Sequence, residues 1–333
     1  MPAFQTPVLL LIFNRPAATA QVLAQLRRAG VRRLYVAADG PRPGHPTDAA
    51  RCAEARALVR QAGREGGCQV HTLFRAANLG CGTAVAEGIG WFFAHEPEGI
   101  IVEDDCLPAP GFFPFCAEML ARYRHDTRLM HISGNCFGAG AGAALAPGQL
   151  SYHFSQQVHS WGWATWRRAW HCHDLHLLDL PRLAASGGLR GSFSSRLEAW
   201  YFLRKCWRLY HGPRPSTIWD YQWHFARAAH SGLAIAPAVN LVSNIGFGRE
   251  GTHTHNAADP HAALPTGTLC WPLRHPAYVL SNQPRDRQQF RAFLAGRLLA
   301  KLRALLGGVR PAAPVPARRT APQASSTMQL ASR

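Results

Sequence analysis

No apolar run in this chain approaches the roughly 20 residues that a membrane-spanning helix requires. The run at the amino end, Val8 to Phe13, is the length of a strand. The expectation is therefore a protein that does not span a bilayer. A positively charged n-region, an apolar h-region and a small-residue cleavage site are also missing from the amino end. Nine cysteines are present, and no two of them form a CxxC pair. An odd, scattered set of this kind predicts ordinary buried thiols in a reducing compartment, hence a cytoplasmic protein. His171-Cys172-His173 lacks a second ligand pair at zinc spacing and is read as structural. Internal repeats and recognised nucleic-acid-binding modules are absent as well.

What is abundant is arginine. Basic residues number 36 against 19 acids, a formal net charge of +17, which favours polyanions such as nucleotides, phospholipid headgroups or nucleic acid. The charge is spread along the chain rather than gathered in one patch, and this argues against nucleic acid as the partner. With 333 residues and 47% apolar content, there is material for one large α/β domain or two smaller ones.

The rest of the chain is organised around Glu98-Gly99-Ile100-Ile101-Val102-Glu103-Asp104-Asp105-Cys106-Leu107-Pro108. The three β-branched residues suit a short strand buried on both faces of a parallel sheet. Three carboxylates then emerge at its carboxyl end, where open α/β sheets place ligands. Such acids repel one another unless a cation or solvent sits among them. Hard oxygen donors select Mg²⁺ or Mn²⁺. A solvated acidic turn is the equal alternative on this stretch alone.

Around that stretch the pattern predicts α/β organisation. Strands are expected over Val8–Phe13, Arg33–Ala38, Val70–Phe74, Leu129–Ser133 and Leu233–Leu241, and helices after Pro16, over 48–65, over Ala84–Ala94 and over Phe112–Tyr123. A β-α-β opening implies parallel strands. Asp39 closes the second strand, where a carboxylate can accept from a base or ribose; an Asp-Gly-Pro turn is equally common without a ligand. Trp161 and Trp163 flank a glycine with the alternation of a strand and could turn one face to a sugar ring, although indoles more often mean core. Asp220 sits among bulky rings, either as the N-cap of the next helix or as a proton acceptor, and the cap is favoured on sequence alone. From Asp286 to Leu306 a basic amphipathic helix is expected, with Phe290, Phe293, Leu294, Leu298, Leu302 and Leu305 on one face. It would lie on an anionic membrane or pack on the domain. The Pro/Ala/Ser-rich stretch 307–333 predicts a disordered tail.

These segments, in this order, resemble a GT-A-fold glycosyltransferase of the N-acetylglucosaminyltransferase I type. The motifs that carry the likeness are Phe13-Asn14-Arg15, Ala38-Asp39-Gly40, Val102-Glu103-Asp104-Asp105-Cys106-Leu107 with Pro110-Gly111-Phe112-Phe113, Trp161-Gly162-Trp163, Trp219-Asp220 and Phe247-Gly248-Arg249-Glu250-Gly251. They span residues 7–255. The chain departs where the family has two acids after the tryptophan, since Tyr221 follows Asp220. It also shows neither the membrane anchor nor the disulfides of the lumenal members.

The resemblance implies a GT-A, Rossmann-like fold with a mixed, mainly parallel sheet flanked by helices. Its catalytic domain would occupy 1–285, with a nucleotide-binding half to about 135 and an acceptor half beyond, followed by the helix 286–306 and the tail 307–333. It implies a metal-dependent, inverting transfer from a nucleotide-diphosphate sugar, a UDP-sugar favoured, to a glycan or lipid-linked acceptor in bacterial surface polysaccharide assembly. Asp105 would bind Mn²⁺ or Mg²⁺, with His253 as a further ligand. Asp104 would hold the ribose or ion-bound water, and Glu103 would reach the sugar or a more distant water of the ion. Arg15 and Arg249 would meet the diphosphate, Asp39 the base, Trp161 and Trp163 the sugar or acceptor. Asp220 would take the acceptor's proton, since an ordinary aspartate is ionised at neutral pH. An anionic membrane at the inner face is a further expected partner. A sugar-nucleotide nucleotidyltransferase should carry a Gly-rich signature and a lysine near the first strand; here that turn is Asn14-Arg15-Pro16, and Lys205 and Lys301 are the only lysines. A basic nucleic-acid-binding protein and a catalytically dead scaffold are the remaining alternatives.

Overall fold

The computed structural model describes residues 4–65, 67–137, 142–212, 217–247 and 262–306. Strands and helices first alternate: β1 (Val8–Ile12), α1 (Pro16–Arg28), β2 (Arg33–Ala38), α2 (Asp48–Arg64), β3 (Gln69–Phe74), α3 (Cys81–His95) and β4 (Glu98–Glu103). There follow β5 (Cys106–Pro108), α4 (Phe112–Arg122), β6 (Leu129–Ser133), β7 (Tyr152–Ser155), β8 (Trp163–Trp166) and α5 (Arg167–Trp170). The remainder comprises α6 (Leu180–Ser186), α7 (Arg196–Tyr210), α8 (Asp220–Ala229), β9 (Leu233–Pro237), β10 (Val242–Asn244) and α9 (Gln283–Leu306).

Among the described residues, eight strands form one sheet in the order β3-β2-β1-β4-β8-β6-β9-β7, and β10 pairs antiparallel with β5 in a separate ribbon. The pairs β3-β2, β2-β1, β1-β4 and β6-β9 are parallel; β8 is antiparallel to both neighbours and β7 to β9. The protein thus has a mixed, mainly parallel α/β sheet of Rossmann-like type. The acid-bearing strand β4 is central, with Ile100, Ile101 and Val102 fully buried. It differs from the expected parallel setting in one respect: β4 is parallel to β1 but antiparallel to β8.

The period of two along each strand divides the core. Val8, Leu10, Ile12, Ile100 and Val102 enter one cluster with Val22 of α1, Val59 of α2 and Phe112, Phe115 and Met119 of α4. Leu9, Leu11 and Ile101 enter the other, with Ile89, Phe92 and Phe93 of α3 and four indoles. Each such aliphatic side chain contributes about 1.5–3 kcal/mol by leaving water, so the sheet is held from both sides and its loop-bearing end has a rigid base.

α9 departs from expectation. Its first turns are pinned to unit Met1–Phe290: the fully buried Asp286 accepts from Ser155 Oγ at 2.6 Å and from the Gln156 N–H at 2.8 Å, and Phe290 is buried. The second unit begins at Arg291, within the helix. At 100° per residue, Arg287, Arg291 and Arg297 fall inside the arc of Phe290, Phe293, Leu298 and Leu302, so the expected separation of apolar and cationic faces is absent. Phe293, Leu298, Leu299 and Leu302 are exposed. No described helix is long and apolar enough to cross a membrane. The stretch 307–333, expected to be a tail, lies outside the described residues.

Candidate active site

β1 and β4 lie side by side, so the turn Phe13-Asn14-Arg15 meets the acids that follow β4. The Phe13 N–H donates to Asp104 Oδ2 at 3.0 Å, and the Arg15 guanidinium bonds the carboxylates of Asp105 and, at 3.5 Å, Asp104. Asp104 and Asp105 are buried and Glu103 is partly so. Burial and the neighbouring acid charges push the carboxyls of Glu103 and Asp104 well above the ordinary carboxylate range, against the opposing pull of Arg15. Among the described residues, the Arg15 guanidinium bonds two of the three acids, and its charge also reaches Glu103.

The β5–β10 ribbon covers the acids from the other side. Asn244 lies opposite Cys106, and the Ile245 N–H donates to the Asp105 carbonyl at 2.8 Å. Gly246 follows, its N–H held by Asn244 Oδ1. A Cβ on Gly246 would overlap the Asp105 carboxylate, so the backbone can pass here only without a side chain. Phe247 comes next, its ring 5.5 Å from that of Trp161 in an edge-to-face contact.

The other expected residues are divided. Asp39 does stand at the end of β2, but its carboxylate is occupied by main chain: it accepts from the N–H groups of Gly40, Leu79 and Gly80 at 2.9–3.2 Å. It thereby latches the loop that opens α3 and places a negative charge at that helix's amino end. Asp220 is the first residue of α8 and does not cap it; the cap position belongs to Trp219, without a side-chain bond. Asp220's charge reaches Glu103, adding to that carboxyl's upward shift, and also reaches Cys81, whose thiol burial and the surrounding acids push up to about 12. The acids of the β4 end, Cys81 and Asp220 thus share one neighbourhood.

Trp163 is not a sugar contact in this fold. It is fully buried and its ring stacks on Trp219 at 5.6 Å and on His131 at 5.0 Å, with Trp170 and Trp223 closing the block. The strand β8 starts only at Trp163; Gly162 before it has φ +65° and turns Trp161 away, to a half-exposed position. His173 stacks on Trp170 at 4.2 Å, which gives the His171-Cys172-His173 run a structural role. Arg249 and His253 lie outside the described residues.

Two features had no sequence signal. Asp48, buried at the start of α2, takes Asn14 Nδ2 at 2.8 Å and Arg42 Nε at 2.7 Å, clamping the β1 turn to the β2 loop. Its carboxyl is held far below the usual range, chiefly by Arg42. The second is the contact of Gly246 with Asp105.

Whether a divalent ion suits these residues depends on the donor set. Among the described residues no group of three or more His, Cys, Asp or Glu is arranged to hold a metal. Mg²⁺ and Mn²⁺ need only one or two carboxylates when phosphates and waters complete the shell. Asp104 and Asp105 are hard oxygen donors, the chemistry such an ion takes, and here both are bonded by Arg15.

No family model matches the sequence, and no curated protein matches it. A solved structure of UDP-glucose pyrophosphorylase complexed with UDP-glucose is similar over 70% of this chain and 90% of its own, at 9% identity and a TM-score of 0.35.

Proposed function

We propose that the chain is a glycosyltransferase that moves a sugar, with inversion, from a nucleotide-diphosphate sugar to a hydroxyl of a glycan or lipid-linked acceptor, a UDP-sugar being the favoured donor. The observation that carries this reading is the group of three acids at the carboxyl end of β4, two of them bonded by Arg15 from the β1 turn, with the charge of Asp220 reaching Glu103. Buried carboxylates cost stability, and a site for a cation and a diphosphate gives them a use.

In this reading Asp105, assisted by Asp104, would hold Mn²⁺ or Mg²⁺. That ion would supply Lewis-acid stabilisation of the departing diphosphate. Arg15, released from the carboxylates it bonds here, would turn its guanidinium to the phosphate oxygens. Asp39 would act on the nucleotide through the loop it latches. Asp220 would accept the acceptor hydroxyl's proton as its oxygen bonds the anomeric carbon and the bond from that carbon to the diphosphate breaks.

Calorimetric titration of UDP with and without Mn²⁺ tests the reading. Asp105→Ala should weaken Mn²⁺-dependent UDP binding by two orders of magnitude or more, on the order of 3 kcal/mol. Asp220→Asn should leave UDP affinity intact and lower turnover by about 10²–10⁴-fold. Unchanged UDP affinity in Asp105→Ala overturns the assignment.

A further inference from the structure

Four rings run outward from the acid group. Phe247 follows Gly246, which touches Asp105; its ring meets Trp161 at 5.5 Å, Trp161 meets Phe137 at 5.4 Å, and Phe137 meets His159 at 4.7 Å. All three contacts are edge-to-face, at 82–87°, so the row is corrugated rather than flat. Every member is half-exposed, whereas Trp163, Trp219 and Trp223 nearby are buried.

The row is held from behind. The Gly134 N–H donates to the Gly162 carbonyl at 2.8 Å, stitching the segment that bears Phe137 to the one that bears Trp161. His131 Nε2 bonds the His159 carbonyl at 3.1 Å, and Gln289 Nε2 of α9 donates to the Phe137 carbonyl at 3.2 Å. Rings fixed in this way lose little freedom when something binds to them. A ligand that suits them needs an apolar face for the rings and a polar edge for His159 and solvent.

We infer that Phe137, His159, Trp161 and Phe247 form the acceptor platform, and that the acceptor they take is a pyranose ring stacked by its C–H face. This rests on the transferase reading, because the row's position beside Asp105 puts the stacked sugar next to the reacting centre. A pyranose combines the required features: one apolar face and a rim of hydroxyls, one of which would be the nucleophile.

The test uses the full chain with ¹⁵N-labelled tryptophan indoles, the Trp161 resonance being identified by its loss in Trp161→Phe. Methyl β-glucoside, methyl β-galactoside and methyl β-N-acetylglucosaminide are titrated, with acyclic sorbitol as control. At least one pyranoside should shift the Trp161 indole saturably while the buried Trp163 indole stays unmoved and sorbitol has no effect. Phe137→Ala should weaken that pyranoside several-fold, and Phe137→Tyr should restore it. A Trp161 signal unmoved by every pyranoside, or moved equally by sorbitol, overturns the platform. UDP binding in Mn²⁺, read separately on the same samples, distinguishes the two claims. UDP binding without a pyranoside shift sinks the platform alone, and a pyranoside shift without UDP binding sinks the transferase reading and the acceptor role with it, leaving only a sugar-binding surface.

Discussion

Two neighbouring strands of the same sheet end in opposite kinds of chemistry. β4 delivers Glu103, Asp104 and Asp105 into a cluster where, among the described residues, the Arg15 guanidinium bonds Asp104 and Asp105. β8, its antiparallel partner, carries Trp163 into a block of four indoles and two imidazoles. In the block, every ring gains dispersion contacts and loses water-exposed area, and His131 Nδ1 even accepts from the Trp223 indole at 3.1 Å. In the acid cluster, burial works against the charges it encloses. The block stabilises the fold and fixes the start of α8, where Asp220 stands; the acids hold charge in place at a cost in stability. Their adjacency shows how a site under electrostatic strain is kept in shape: the strain sits at the end of one strand, and its support is the apolar packing of the next.

The contrast can be broken most directly at Trp163. Trp163→Ala should destabilise the protein by about 3–5 kcal/mol, read as a lower denaturant midpoint, because the cavity opens under Trp219 and Trp223 together. Glu103→Gln should do the reverse: relieved repulsion raises Tm by about 2–4 °C while transfer is lost. A fall in Tm for this variant would mean that the acids are balanced by their contacts.

The smallest effect is a difference of sign with pH, measured without added metal. Burial lowers His131 to about 3 and, against the pull of the Trp219 carbonyl and Asp174, His173 to about 4. The unfolded chain takes up protons at these histidines below about 6.5, so their contribution to stability is whole above that pH and is lost as pH falls towards 3–4. The raised carboxyls of Glu103 and Asp104 act oppositely: the folded protein keeps their protons longer than the unfolded chain does. Their contribution therefore improves as pH falls through their raised values towards the ordinary carboxylate range. Thermal melts between pH 7 and 4 should accordingly show a flatter acid decline for His173→Phe and a steeper one for Glu103→Gln. Parallel curves for both variants would remove the distinction.

How much of this was legible depended on whether a feature was local. Val8–Ile12, Leu34–Ala38 and Ile100–Val102 are uninterrupted apolar runs, and their strands follow from composition. α3 begins at Cys81, earlier than expected, because Cys81-Gly82-Thr83 has the look of a loop until Asp39 latches its start. α7 was missed although a capping signal stands at its head: Ser195 Oγ accepts from the Glu198 N–H at 3.2 Å. Trp163 is core rather than a sugar contact, and strand alternation could not tell the two apart, because it separates two faces without saying which one faces solvent. Trp163, Trp170, Trp219 and Trp223 come from β8, α5 and the start of α8, and only the folded chain stacks them. The clamp of Asn14, Arg42 and Asp48 joins two loops, so no single window of sequence contains it.

The tight passage of the chain over Asp105 also restricts which variants this protein can tolerate. Among all twenty residues, only the one without a side chain can occupy position 246 while the Asp105 carboxylate keeps its place. Its neighbour at 247 is half-exposed with its ring against Trp161, and a different ring there would reshape the ground beyond the acids. Diversification of what the protein accepts is thus open one step along the backbone from a position that is closed.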